Sequence, residues 1–210
     1  MLAIKEMIKG IPFIGALVRR GYKALTTLKD EPKPPLQSHI YWEERYTSGG
    51  NSGVGSYGKF ARFKADVINS FVEDNGIGSV IEFGCGDGHQ LKLANYHRYT
   101  GLDISRNAIA RCRDMFAHDE SKTFLLMDAY TDQKADLALS LDVIYHLIED
   151  DVFEVYMHKL FDSATRFAII YSSDIDENKG YENSHVRHRK FTSWVKANIK
   201  GWSLKQNIPN

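Results

Sequence analysis

The residues best suited to chemistry form the run Glu82-Phe83-Gly84-Cys85-Gly86-Asp87-Gly88, directly after the apolar Val80-Ile81. Glycines at alternate positions let a chain turn sharply and press bare backbone against a ligand. Residues 89–93 read as the start of a helix, whose free N–H groups would face the same point. At the C-terminal edge of a parallel sheet this makes a nucleotide-type pocket. The spacing is G-x-G-x-G, not the G-x-G-x-x-G of dinucleotide binders. Glu82 ahead of it would repel a diphosphate and suit a ligand carrying an ammonium. Three more acids, Asp103, Asp128 and Asp142, each close an apolar run. Taken singly, each is most simply a helix cap or a solvated turn. In series they line one sheet edge, where Asp103 can accept both hydroxyls of a ribose.

The elements that must position these groups follow from periodicity. Residues 80–83, 99–104, 125–129, 136–142 and 167–171 read as strands. Helices are expected at 105–116, with Ser105 as cap, at 151–161 and at 190–199. A longer helix begins after residue 58, with Phe60, Phe63, Val67, Ile68, Phe71 and Val72 at helical spacing, and Asn75-Gly76 ends it. Alternating strands and helices define a doubly wound, mostly parallel α/β sheet. Residues 202–208 read as a sixth strand. A glycine-dense stretch at 47–58 has the composition of a lid, flanked by Trp42 and Tyr57.

Together, E-F-G-C-G-D-G and the acids at successive strand ends resemble motif I and the core of class I S-adenosylmethionine-dependent methyltransferases. The likeness runs over residues 41–208. In detail the chain is similar to small bacterial methyltransferases with Y-W-E-x-R-Y, a glycine-serine loop and H-V-R-H-R-K-F, a type associated with saccharide or cell-surface modification. The resemblance implies a Rossmann-like fold and S-adenosylmethionine as cofactor. It also implies cofactor contacts from Glu82, Gly84, Cys85, Gly86, Gly88, Asp103, Ile104, Asp128, Ala129 and Leu141, with Trp42 and Tyr57 either closing over the methionine end or simply packing. Members usually add a seventh, antiparallel strand, for which the residues after 208 leave no room.

Acceptor chemistry sets the rest. A hydroxyl is a poor nucleophile and needs its proton removed as it attacks, best by a histidine. His146, four residues past Asp142, and His185 or His188 are the candidates, with Asp142 near the transferred methyl. Tyr145, Arg187 and Arg189 are candidates to contact the acceptor, the arginines as a clamp on a carboxylate or phosphate; a solvated charged face is the alternative. Asp142, Asp174 and Asp176 could converge on Mg²⁺. The expected reaction is O-methylation of a sugar hydroxyl. Another small or lipid-linked acceptor, or cofactor binding without turnover, is the alternative.

Composition narrows the classes. The chain has 210 residues, of which 43% are apolar, enough for one domain with a real core plus an extension. Its 27 acids balance 27 bases, which argues against nucleic acid as partner. Cys85 and Cys112 lack metal or disulfide spacing, so a reduced, cytoplasmic setting is expected. Residues 1–35 read as a basic amphipathic extension and Pro-rich linker ahead of a domain at 36–210. The apolar run at 11–18 is too short to span a bilayer, although residues 1–30 could lie on an anionic inner-membrane surface.

Overall fold

The computed structural model describes residues 37–180 and 184–209. The basic extension expected at residues 1–35 lies outside the described residues, as does its membrane contact. Among the described residues no helix is long and apolar enough to cross a membrane.

Five strands pair in one sheet: β1 (Val80–Phe83), β2 (Tyr99–Asp103), β3 (Lys122–Leu126), β4 (Ala135–Leu141) and β5 (Ala164–Tyr171). Their order is β3-β2-β1-β4-β5 and every pairing is parallel. The helices are α1 (Ser38–Thr47), α2 (Gly58–Asp74), α3 (Arg106–Met115), α4 (Asp150–Ser163) and α5 (Phe191–Asn198). This is the doubly wound α/β fold expected, with both sheet faces covered, which is why β1 and β4 are buried nearly throughout.

Period-two alternation sorts the strand residues between two core layers. Val80, Tyr99, Leu137 and Leu139 pack with Ile68 and Val72 of α2. Ile81, Phe83, Leu102 and Ala138 pack with Phe153, Met157 and Leu160 of α4. Ser105 caps α3 by accepting the Ala108 N–H. Asp150 and Asp151 sit in the first turn of α4, favourable to its dipole. Because the sheet is parallel and β1, β2 and β4 adjoin, Gly84, Asp103 and Asp142 emerge side by side at one edge.

Two expected elements do not form. Residues 89–93 make only a 3₁₀ turn, Gln90–Leu93. Asn69 of α2 ties that connection down, donating to the Leu93 carbonyl at 2.8 Å and accepting the Asn95 N–H at 2.9 Å. Residues 202–208 form no strand. Trp202 packs edge-on against Phe161 at 5.2 Å, and Lys205 bonds Asn75 while its ammonium lies 4.7 Å from the Phe167 ring. Side chains rather than a backbone ladder anchor this tail, and among the described residues β5 is one edge of the sheet and β3 the other.

Tyr156 of α4 locks helix to sheet: its hydroxyl donates to the Phe83 carbonyl at 2.9 Å and meets Ser140 Oγ at 2.7 Å. Removing it strands buried polar groups. Tyr156→Phe should cost about 1–3 kcal/mol, read as a lower urea midpoint with unchanged m-value.

Candidate active site

The glycine turn carries its own cover. Gly84 and Gly86 have φ of +82° and +58°, which side chains rarely adopt. A Cβ on Gly86 would stand 2.3 Å from Ser52 Oγ and 3.0 Å from the Tyr46 hydroxyl. Asp87, between Gly86 and Gly88, fastens this cover. Its carboxylate accepts the Ser52 N–H at 3.0 Å and the Tyr57 hydroxyl at 2.8 Å, while Ser52 Oγ accepts the Asp87 N–H at 2.9 Å. Burial works against its charge, yet the donors from Ser52, Tyr57 and His89 hold Asp87 below the usual carboxylate range. Tyr57 stacks on His89 at 4.0 Å. Trp42 lies further along, edge-on to His146 at 4.8 Å.

Beneath the turn lie two enclosed acids. Asp103 accepts the Gly86 N–H and the Ser105 N–H, each at 2.9 Å, one on each oxygen. Burial lifts its carboxyl to about 6 against the pull of these donors. Glu82 accepts the Tyr99 hydroxyl at 2.6 Å. Burial pushes Glu82 up to about 7, opposed by that bond and by the Lys64 charge. Glu82 faces the α2 side, so it meets the site through its charge rather than as an exposed rim group. Ile104, Asp128 and Ala129 are exposed together at the ends of β2 and β3, with Asp128 at 3.9 Å from Arg106. Leu141 is buried at the end of β4. Hydrogen bonding with Cys112 and burial push the Cys85 thiol up, which makes it a small neutral residue rather than a nucleophile.

Asp142 closes the far end. It holds φ of +60°, pairs with the ammonium of Lys64 at 2.5 Å and accepts the Tyr145 hydroxyl at 3.0 Å. Lys64 is 2% exposed and stands 5.1 Å from the Tyr171 ring. Next comes His146, whose Nδ1 is 3.0 Å from the His185 carbonyl. A carbonyl only accepts, so Nδ1 carries the hydrogen and the Nε2 lone pair is left free. Burial draws His146 down to about 4, so the ring is neutral at pH 7. Around it stand Trp42, Tyr145 at 4.4 Å and His185 at 5.1 Å, with Tyr41 stacked on His185 at 4.3 Å.

Several expectations are corrected. Arg187 and Arg189 do not face an open pocket: both bind the Asp150 carboxylate and the Ile148 carbonyl, and Arg189 also the Leu147 carbonyl. They brace the loop behind His146. His188 Nδ1 lies 2.6 Å from Ser173 Oγ, and His185 serves as a stacking partner. Asp142, Asp174 and Asp176 do not converge. Asp174 accepts the N–H and hydroxyl of Thr192, and Asp176 the Lys190 N–H, so both hold the start of α5. Among the described residues no three metal-ligating side chains gather, and no step is assigned to a metal. Sequence reasoning passed over Asp87 and Lys64. The signal for Lys64 was there: it shares the buried stripe Ala61, Lys64, Ala65, Ile68, Val72.

The Rossmann-like sheet, with a Cβ-free turn over a buried acid, defines a nucleotide-cofactor α/β fold. Residues 57–201 match the family model described as a methyltransferase domain. The chain belongs to that family, and it is a class I S-adenosylmethionine-dependent methyltransferase. Among solved structures it is similar to the methyltransferase domain of bacterial CtHen1-C (18% identity, 65% of this chain and 81% of that one, TM-score 0.52). It is also similar to magnesium protoporphyrin IX methyltransferase from Synechocystis PCC 6803 with bound S-adenosylhomocysteine (20%, 64% and 69%, 0.50) and to the [4+2]-cyclase SpnF (15%, 78% and 73%, 0.56). At these identities the likenesses speak to fold alone. No curated protein sequence matches. The residues fit the cofactor by the chemistry of the donor set: the Asp103 carboxylate, held at the end of β2 beside the positive-φ glycine turn, can accept ribose hydroxyls.

Two outcomes follow from the buried charges. Lys64→Met leaves Asp142 uncompensated and should cost about 3–5 kcal/mol, partly recovered in Lys64→Met/Asp142→Asn, by urea denaturation. Folding raises Glu82 from 4.5 to about 7, so between those values the folded chain binds more protons than the unfolded one. The Glu82 contribution is complete below about pH 4.5 and is lost as pH rises through about 7. His146 works in the opposite sense, so the comparison is with Glu82→Gln. The wild type should lose stability relative to Glu82→Gln between pH 5 and pH 8.

Proposed function

We propose that this methyltransferase acts on a hydroxyl of a sugar or sugar-like small molecule, with His146 as general base. The observation that carries this reading is the state of His146: neutral, its Nδ1–H given to the His185 carbonyl, its Nε2 free. Such a ring can accept a hydroxyl proton as the oxygen attacks. The surrounding rings of Tyr41, Trp42 and Tyr145 suit the C–H faces of a saccharide, since small-molecule pockets pair aromatic walls with few polar groups.

S-adenosylmethionine, when bound, supplies an already electrophilic methyl group, so alignment supplies most of the rate. Asp103, whose carboxylate is oriented by the backbone N–H groups of Gly86 and Ser105, would take the ribose hydroxyls. Ile104, Asp128 and Ala129 would border the adenine. Gly84, Gly86, Gly88 and the Cys85 backbone would let the cofactor approach, with Tyr57 holding the cover through Asp87. Leu141 and Asp142 would border the methionine end, with Asp142 held in place by Lys64 and Tyr145. Tyr145 fixes Asp142 and faces the acceptor beside His146.

The test is methyl transfer from radiolabelled S-adenosylmethionine to a panel of glycosides and non-sugar alcohols, acids and amines. Labelling of glycosides is expected; labelling of non-sugars alone overturns the saccharide class. His146→Gln should lower kcat by about 10²–10⁴-fold with cofactor affinity unchanged, and full activity in that variant removes the base. Asp103→Ala should weaken S-adenosylhomocysteine binding about tenfold, or 1.4 kcal/mol, by calorimetry.

A further inference from the structure

With Arg187 and Arg189 committed to Asp150, the cation beside the His146 pocket is Arg45 of α1. Its Nε donates to the Asn51 carbonyl at 2.7 Å, and Nη1 lies 3.4 Å from the Tyr41 hydroxyl. The guanidinium stands 5.6 Å from the centre of the Trp42 ring. The loop after α1 is shaped around this side chain. A Cβ on Gly50 would fall 2.6 Å from the Arg45 carbonyl oxygen and 2.9 Å from its Cγ, and one on Gly53 lies 3.9 Å from Nη2. Glycine at 50 is therefore required by the path of Arg45.

No carboxylate among the described residues pairs with Arg45, and its Nη2 has no acceptor there. Yet the guanidinium is fixed beside the reacting region. Trp42, under it, is edge-on to His146, and Tyr41, bonded to it, stacks on His185, which stacks on His146. A held, half-buried cation without a counter-ion invites an oxyanion, which a planar guanidinium grips through parallel N–H bonds. The same charge disfavours protonation of both His146 and His185, so an anion that screens it makes His146 a stronger base.

We propose that the acceptor carries a carboxylate or phosphate that binds Arg45 at the Tyr41–His185 side, which sets the reacting hydroxyl against His146. The proposal rests on the reading of His146 as base and adds the charge of the acceptor to it. Arg45 is thus a specificity-determining residue, and one helix, α1, contributes both the Tyr46 contact over the glycine turn and the anchor of the acceptor.

The experiment needs no turnover. Wild type, Arg45→Gln and Arg45→Lys, each loaded with S-adenosylhomocysteine, are titrated with glucuronate, glucose 6-phosphate, inorganic phosphate and neutral glucose. Calorimetry gives affinity and ¹H–¹⁵N imidazole spectra report His146 and His185. At least one anionic sugar should bind about tenfold more tightly than glucose and shift the His185 signals. Arg45→Gln should lose that margin, and Arg45→Lys should restore part of it. Glucuronate against glucose 6-phosphate separates carboxylate from phosphate. Glucose binding as tightly as the anions, no anion binding at all, or equal anion binding by Arg45→Gln overturns the proposal. A fall in S-adenosylhomocysteine affinity in Arg45→Gln also overturns it, since the guanidinium would then serve the methionine carboxylate. Because binding is read without methyl transfer, such a result leaves the His146 base to be judged separately by kcat.

Discussion

A β-carbon on Gly86 would stand 2.3 Å from the Ser52 hydroxyl, a separation nonbonded atoms do not tolerate, and much of the catalytic edge is arranged around that constraint. The turn is tight because β1 must end where Asp103 of β2 can accept the Gly86 N–H. It is covered because Asp87 returns two bonds to the segment above it. One short run of sequence therefore sets the floor of the site, its approach and the attachment of its cover. The hydrogen bonds that close it are made by charged or hydroxyl groups in half-buried positions, where they are worth more than in water.

The second organising term is charge. Glu82, Asp103 and Asp142 lie within one region of the sheet edge, and the buried Lys64 is set against them through its pair with Asp142 and its field at Glu82. Burial lets Glu82 and Asp103 keep protons to higher pH than in water, and a cationic ligand beside them would favour their release. Past Asp142 the field changes sign: Arg187, Arg189 and Arg45 gather behind and beside His146, and only Arg45 lacks a carboxylate partner among the described residues. The acidic end suits the cofactor.

Much of this was legible in the chain. Apolar runs mark β1, β2 and β4 in the sequence, and parallel pairing brings the residues at their ends, Asp103 and Asp142 among them, to one sheet edge. His146 lies near Asp142 because only four positions separate them in the chain. What could not be read were partnerships across long separations. Lys64 meets Asp142 from 78 positions away, and Arg187 meets Asp150 from 37; a run of cations looks the same whether it grips a ligand or braces a loop. The 3₁₀ turn at Gln90–Leu93 was misread as a helix because Asn69, on another element, decides where that connection bends.

The sequence by itself determined the strand ends, the glycine turn and the family, since these depend on local steric freedom and on the period of apolar residues. Tertiary structure alone decided which charges are spent on one another. It sent Asp174 and Asp176 to cap α5, gave both late arginines to Asp150, buried Lys64 against Asp142 and left Arg45 beside His146 without a carboxylate partner among the described residues. Ion pairing depends on distance and on water exclusion, and neither exists until the chain has folded.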